Sequence, residues 1–360
     1  MSELKNISGN QIDFRARLLI TACSTALLTA LCANLPAAAA DADRPMVWLE
    51  LGGEFAQLQN GQEPYLPPFT LVTPRLSFIV QSPADTEKAM PVSWDGNAKI
   101  SFQPVESDWI FSAAIQYGRN TRNKTSSQRT THHSSSQYFL RYEAYQNISA
   151  KNTSSHMVVD FAAGKDMGLG MLSGAGDSIV RIGLRYAQFD SRSKSGIQYQ
   201  PTNNDKNFHI FYGAFDAARK FIGLGPSLSW DASAGLIGEP ATGGITLDWG
   251  LNGAVLFGRQ RTNVHHQTTN LAVTYPYLGI GFVKQPLYQH SGAPPRSKQV
   301  VVPNIGGFAG VSWRYPDAKI SVGYRADFFF GAMDGGIDTA HRENVGFYGP
   351  FASVSIGVGG

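Results

Sequence analysis

The side chains that could do chemistry are few and poorly grouped. Two histidine pairs, His132-His133 and His265-His266, offer imidazole nitrogens to a metal. Each sits in a polar stretch with no cysteine or carboxylate at ligand spacing, so solvated loop positions account for them better. Gly168-x-Gly170 and Gly223-x-Gly225 resemble phosphate-cradling glycines, but neither opens a helical pattern. Glycine inside a strand marks a bend or a close backbone approach instead. His156 shares a parity with Asp160, and His209 stands near Asp216. No serine elbow or pair of acids at catalytic spacing supports either as a reaction centre. No catalytic, cofactor-binding or metal site is therefore expected, and the chain is expected not to be an enzyme.

The elements that carry these residues speak more clearly. From Ala318 to Phe330, Ala318, Ile320, Val322, Tyr324, Ala326, Phe328 and Phe330 fall on one parity. Lys319, Ser321, Gly323, Arg325 and Asp327 fall on the other. A period of two is the mark of a two-faced β-strand. Soluble strands run to about 5–6 residues, whereas a tilted strand crossing a bilayer needs about 9–11. The pattern recurs over 109–118, 179–190, 221–234, 245–258 and, more weakly, 347–358. Less regular candidates lie near 46–57, 94–103, 137–148, 155–164, 207–218, 271–284 and 302–315.

Alternation alone also fits a soluble sandwich. Strand length, polar faces rich in Gly, Ser and Ala, and aromatics gathered at strand ends favour a transmembrane barrel. Facing Arg181, Arg185, Lys319 and Arg325 into lipid would cost about 2–4 kcal/mol each near the midplane, so they are expected to line a lumen with Asp231, Asp248 and Asp327. So many charges suggest a water-filled interior. They either bias a pore towards anions or neutralise one another. Trp109, Tyr117, Trp230, Trp249, Tyr324 and Phe328 are expected to meet lipid or its interface.

Residues 1–40 read as a cleaved signal peptide: Arg15 and Arg17, an apolar run from Leu18 to Leu35, then Ala38-Ala39-Ala40 before Asp41. A transmembrane anchor is the alternative, since Leu18 to Ala40 carries no charge. Cys23 and Cys32 both lie in this segment, so the mature chain, 41–360, would hold no disulfide. No later apolar run is long enough for a membrane helix, which leaves a closed barrel as the way to span a bilayer. A net charge of +3 gives no case for nucleic acid as a partner.

The fold expected is all-β, a single antiparallel transmembrane barrel. Thirteen candidate strands must give an even number, so about 12 are expected, with 14 the next count. Pro316-Asp317 and Arg219-Lys220 read as tight turns, and 119–136, 191–206, 285–301 and 331–345 as long polar loops.

Several segments resemble the Legionella major outer membrane protein-like family. They are Val158-Val159-Asp160-Phe161 leading to Gly164-Lys165-Asp166, and Gly183-Leu184-Arg185-Tyr186-Ala187-Gln188-Phe189. Gly225-Pro226-Ser227-Leu228-Ser229-Trp230, Tyr324-Arg325-Ala326-Asp327-Phe328-Phe329 and Gly346-Phe347-Tyr348-Gly349-Pro350 complete the set. The resemblance implies a pore-forming protein of the Gram-negative outer membrane, exported through the periplasm. It supplies no catalytic or binding residues. The closing Ile356-Gly357-Val358-Gly359-Gly360 departs from the terminal aromatic usual in such barrels. The resulting expectation is a porin-like channel for passive diffusion of small hydrophilic solutes or ions. The alternative is a barrel with a blocked lumen that acts in surface interaction through its long loops. Expected partners are outer-membrane lipid, those solutes, the outer-membrane assembly machinery and a second copy of the chain.

Overall fold

The computed structural model describes residues 46–60, 71–73, 76–78, 92–105, 107–133, 141–167, 178–202, 207–239, 243–274, 283–290, 294–315 and 317–358. All of them fall in the unit Pro45–Val358. The segment 1–40, read above as a signal peptide, Gly168-x-Gly170 and Pro316 lie outside the described residues, as do the side chains of His132, His133 and His209.

Ten strands follow one another: β1 (Met46–Asn60), β2 (Ser93–Gln103), β3 (Trp109–His133), β4 (Arg141–Asp166), β5 (Ser178–Thr202), β6 (Asn207–Glu239), β7 (Gly243–Thr274), β8 (Arg296–Arg314), β9 (Ala318–Asp334) and β10 (Arg342–Val358). Each pairs antiparallel with its neighbour in sequence, and β1 pairs with β10 from Val47↔Val358 to Asn60↔Val345, so the sheet closes on itself. Closure satisfies every ladder without a free edge in hydrocarbon. Three short strands are not among these ten. Leu71–Thr73 and Leu76–Phe78 form a separate ribbon, and Val283–His290 continues beside β7 beyond the end of β8.

The count corrects the expectation of 12 or 14 strands, and its cause is specific. Residues 141–148 and 155–164 lie on one strand, as do 207–218 and 221–234, and the strand that holds 245–258 runs on to Thr274, into the candidate begun at 271. These three mergers reduce thirteen candidates to ten. Arg219-Lys220, expected as a tight turn, runs straight through β6, with Arg219 paired to Ser191 and Thr262 and Lys220 to Asp190 and Arg261. The expected loops 119–136 and 191–206 are largely strand, and 285–301 holds one strand and the start of another. Polar side chains there occupy ladders that have left the membrane, where both faces can be wet.

Both ends of the ring's sequence, Met46 and Val358, lie at one end of the barrel, which also has the short connections 240–242 and 315–317. Short turns mark the periplasmic end of such barrels and longer excursions the outer end. β6 and β7 have 33 and 32 residues, about three times the 9–11 that cross a bilayer, so β3 to β7 rise well beyond it at the outer end.

Outward side chains make a continuous apolar belt. Phe161, Ile182, Leu184, Leu228, Leu251 and Phe257 are all more than half exposed. Water-exposed apolar surface of this extent is uncommon on a soluble monomer, whereas lipid is its natural solvent.

Candidate functional site

Residues of the opposite parity fill the bore, in three layers. Nearest the periplasmic end, Asp248 of β7 accepts hydrogen bonds from Ser312 Oγ at 2.5 Å and Thr246 Oγ at 3.0 Å. Lys319 Nζ lies 2.5 Å from the same carboxylate and Arg314 3.7 Å. On the neighbouring strand β6, Asp231 pairs with Arg181, and its carboxylate also stands 3.8 Å from Lys99 Nζ.

Deeper in, Arg185 of β5 donates Nε and Nη2 to Asp160 of β4 at 2.7 and 2.9 Å. Its Nη1 reaches Asn252 of β7 at 2.6 Å and Asn304 of β8 as well. One guanidinium therefore ties one wall of the bore to the other. Arg325 lies over the Phe351 ring at 5.2 Å and 4.0 Å from Glu54. Gly306 makes room for Asp327, since a Cβ there would stand 1.9 Å from the Asp327 Oδ1. Most of these groups line a cavity of about 320 Å³. All seven charged residues singled out in the sequence, Arg181, Arg185, Asp231, Asp248, Lys319, Arg325 and Asp327, border it. Most have an acid–base partner, which favours neutralisation over a strong anion bias.

Above this basin the bore is apolar. Phe189 (β5), Phe221 (β6), Phe329 (β9) and Phe347 (β10) are at most 2% exposed. The Phe189 ring packs edge-on against Phe329 at 4.8 Å and lies 5.7 Å from Phe221, and Phe329 lies 5.5 Å from Phe347. Leu256 of β7, Val302 of β8, Ala56 of β1 and Val158 of β4 complete the layer. His156 stacks on Phe347 at 4.5 Å while its Nε2 stands 3.0 Å from Asp95. This septum corrects the expectation of a water-filled interior: water has room in the basin, and side chains fill the level above it.

The septum is capped by the connection after β9. Gly331, at φ 66°, occupies the left-handed region, and the β9–β10 register slips between Phe329 and Met333. That irregularity turns Ala332, Met333 and Asp334 into the bore, where all three are buried. Arg296 of β8 donates Nε to Asp334 at 2.8 Å, Nη1 to the Ile337 carbonyl at 2.9 Å and Nη2 to the Gly336 carbonyl at 2.7 Å. Arg219 of β6 donates to the Gly335 carbonyl at 3.0 Å, and Ile337 packs on Phe215, Ala217 and Val264. Burial alone would raise the Asp334 carboxyl. Hydrogen bonds from Arg296 and the backbone N–H groups of His341 and Gly336 hold it below the usual carboxylate range instead.

The six aromatics expected at the lipid boundary all lie on outward parities. Trp109 and Tyr324 are about half exposed, and Tyr117, Trp230, Trp249 and Phe328 are half-buried. Trp230 donates Nε1 to Ser178 Oγ at 2.9 Å. His156 and Asp160, considered above as a pair, turn to Asp95 and Arg185 respectively. Among the described residues no group of three His, Cys, Asp or Glu side chains is placed to hold a metal. The sequence alone did not single out Lys99, Glu54 or the septum, and it named Asp160 only beside His156, not as a residue of the bore.

No curated protein matches the sequence. Among solved structures, the translocator domain of the autotransporter NalP from Neisseria meningitidis aligns over 95% of this chain and 97% of its own, at 8% identity and a TM-score of 0.23. The P. putida toluene transporter TodX aligns over 88% and 90%, at 7% identity and a TM-score of 0.20. The CymD monoaromatic hydrocarbon channel aligns over 87% and 89%, at 6% identity and a TM-score of 0.22. Scores this low fix nothing about the present bore. The profile described as Legionella pneumophila major outer membrane protein precursor, in contrast, matches residues 80–358. With its closed barrel and lipid-facing belt, the chain is a protein of the outer membrane, and it belongs to the Legionella major outer membrane protein family.

Proposed function

We propose that this protein is a gated outer-membrane channel for small hydrophilic solutes or ions. Permeants would enter the charged basin and cross by passive diffusion when the aromatic septum and the Gly335–His341 cap give way. The observation that carries this reading is the stacking of a polar, charge-lined basin beneath a dry four-phenylalanine layer in one bore. Charges that served packing alone would not need a cavity of about 320 Å³ among them. The reading involves no bond-making step.

Single-channel recording in planar bilayers tests it. Wild-type protein is expected to show rare, brief openings, and a Phe189→Ser, Phe329→Ser double variant a steady conductance. Absence of ion steps from both would sink the channel reading. In that event the second reading stands, a closed barrel that acts through its surface. It is favoured by β3 to β7, which rise far past the lipid belt as a continuous wall.

A further inference from the structure

Where the apolar belt ends at the outer side, cations gather on one sector of the outward face. On β7, Val255 and Phe257 of the belt are followed on the same parity by Arg259 and Arg261, both exposed. On β6, running the other way, Leu224 and Ile222 give way to Lys220. Register sets these charges side by side: Lys220 lies directly across from Arg261, and Arg259 stands across from Ile222. Like charges directly opposed on a sheet face are destabilising. Among the described residues no carboxylate pairs with Arg259 or Arg261, and Asp190 lies 3.7 Å from Lys220. On the other flank, β8 places Ser297 across from Arg261 and Gln299 across from Arg259. The Ser297 hydroxyl already accepts a hydrogen bond from Arg259 Nε at 2.7 Å.

We propose that Lys220, Arg259 and Arg261, with Ser297 and Gln299, form a site on the outer wall of the barrel for the phosphate-bearing headgroup of an outer-leaflet lipid. Arginine forks and the Gln299 amide suit a phosphate's several oxygens, while the Ser297 hydroxyl, which donates to the Gln260 carbonyl at 3.3 Å, holds Arg259 in place. An anion seated between Lys220 and Arg261 turns their repulsion into shared attraction. The position selects a lipid over a free anion, because Phe257, Val255, Leu224 and Val301 continue below the cations as a surface for acyl chains. Cations next to an acyl-covered belt are placed for a headgroup, and the attraction is of the kind that salt weakens.

The test uses the full-length protein in dodecylmaltoside, with lipid A as the probe and bound lipid counted by native mass spectrometry. Wild-type protein is expected to bind lipid A, to bind its dephosphorylated form at least about tenfold more weakly, and to hold lipid A against millimolar inorganic phosphate. A Lys220→Gln, Arg259→Gln, Arg261→Gln variant is expected to lose at least about tenfold in affinity, while a Lys220→Arg, Arg261→Lys variant keeps it. Heat-modified gel mobility confirms that each variant is folded. Should the triple variant misfold, the Arg259→Gln, Arg261→Gln pair is read in its place. Equal binding by the neutralised variants, equal binding of the dephosphorylated lipid, or displacement by phosphate would each overturn the proposal. Conductance plays no part in these readouts, so failure here leaves the channel reading untouched.

Discussion

Arg296 and Asp334 lock the cap of the barrel: the guanidinium Nε donates to the carboxylate at 2.8 Å, and the other two nitrogens hold the carbonyls of Ile337 and Gly336. A side chain from β8 thus holds the connection between β9 and β10 at three points, beside Arg219 of β6 on the Gly335 carbonyl. Charge-assisted hydrogen bonds of this kind contribute about 1.5–3 kcal/mol each. Arg296→Gln is expected to speed amide hydrogen exchange across Gly335–His341 by at least tenfold, with the lower half of the barrel unchanged. If exchange in that segment matches wild type, the arginine is not its anchor.

The same pair sets a pH dependence with a definite sign. The Asp334 carboxyl is held below its ordinary value in the folded protein. A depressed acid contributes stability that is fully present above its unfolded value, about 3.9, and is lost as pH falls through the folded value. The cap is therefore expected to stay closed at neutral pH and to loosen progressively below about pH 4. Hydrogen exchange of Gly335–His341 at pH 7 and pH 3, corrected for intrinsic rates, measures this. Asp334→Asn should abolish the difference, and persistence of the full difference in that variant would assign it elsewhere.

Inside and outside can be told apart by charge. Ile182 on β5 is 63% exposed on the lipid belt, while Ser227 on β6 lines the basin. Arginine at a lipid-facing midplane site costs about 2–4 kcal/mol. Ile182→Arg is expected to destabilise the barrel by that amount in urea unfolding from lipid vesicles, and Ser227→Arg by less than about 1 kcal/mol. Equal penalties would mean that the two faces have been misassigned.

The septum is expected to support the fold as well as close it. Removing a buried Phe side chain typically costs about 3–5 kcal/mol, and Phe329 is fully buried against Phe189 and Phe347. Phe329→Ala should lower unfolding stability by about that much, whereas Phe330→Ala on the outward side of the same strand should cost less. The comparison is made in one lipid, so that hydrocarbon contacts are held constant.

Much of this was legible in the chain because the physics is local. Alternation along Ala318–Phe330 assigned its two faces, and the charges on 181, 185, 231, 248, 319, 325 and 327 marked the inward side. The strand count was not legible, because a strand that leaves the bilayer loses its contrast between faces. Arg219-Lys220 looks like a turn in sequence and is the point where β6 emerges into water. The septum did leave a signal. Phe189, Phe221 and Phe329 each share the parity of the charged or glycine positions in their strands, at the outer end. Read one strand at a time these are lapses in alternation; only the register, which brings them to one level, makes them a layer.

Arg185 offers the sharpest test of that layer's foundation. Its guanidinium is 9% exposed and holds Asp160 by two hydrogen bonds while spanning to Asn252 and Asn304. Breaking a fully buried pair by removing one partner costs about 3–5 kcal/mol; Asp160, left behind 27% exposed to the basin, brings the cost here down to about 2–3 kcal/mol. Arg185→Leu is therefore expected to destabilise the barrel by about that amount. The Arg185→Leu, Asp160→Leu double variant should recover much of the loss, since an apolar pair of similar volume is often neutral or better. Arg185→Lys keeps the charge but lacks the planar fork, so it should hold Asp160 and release Asn252 and Asn304. If the tie across the bore limits opening, that lysine variant will fold like wild type and conduct more often in planar bilayers. Unchanged open probability in a folded Arg185→Lys barrel would assign closure to the phenylalanines alone.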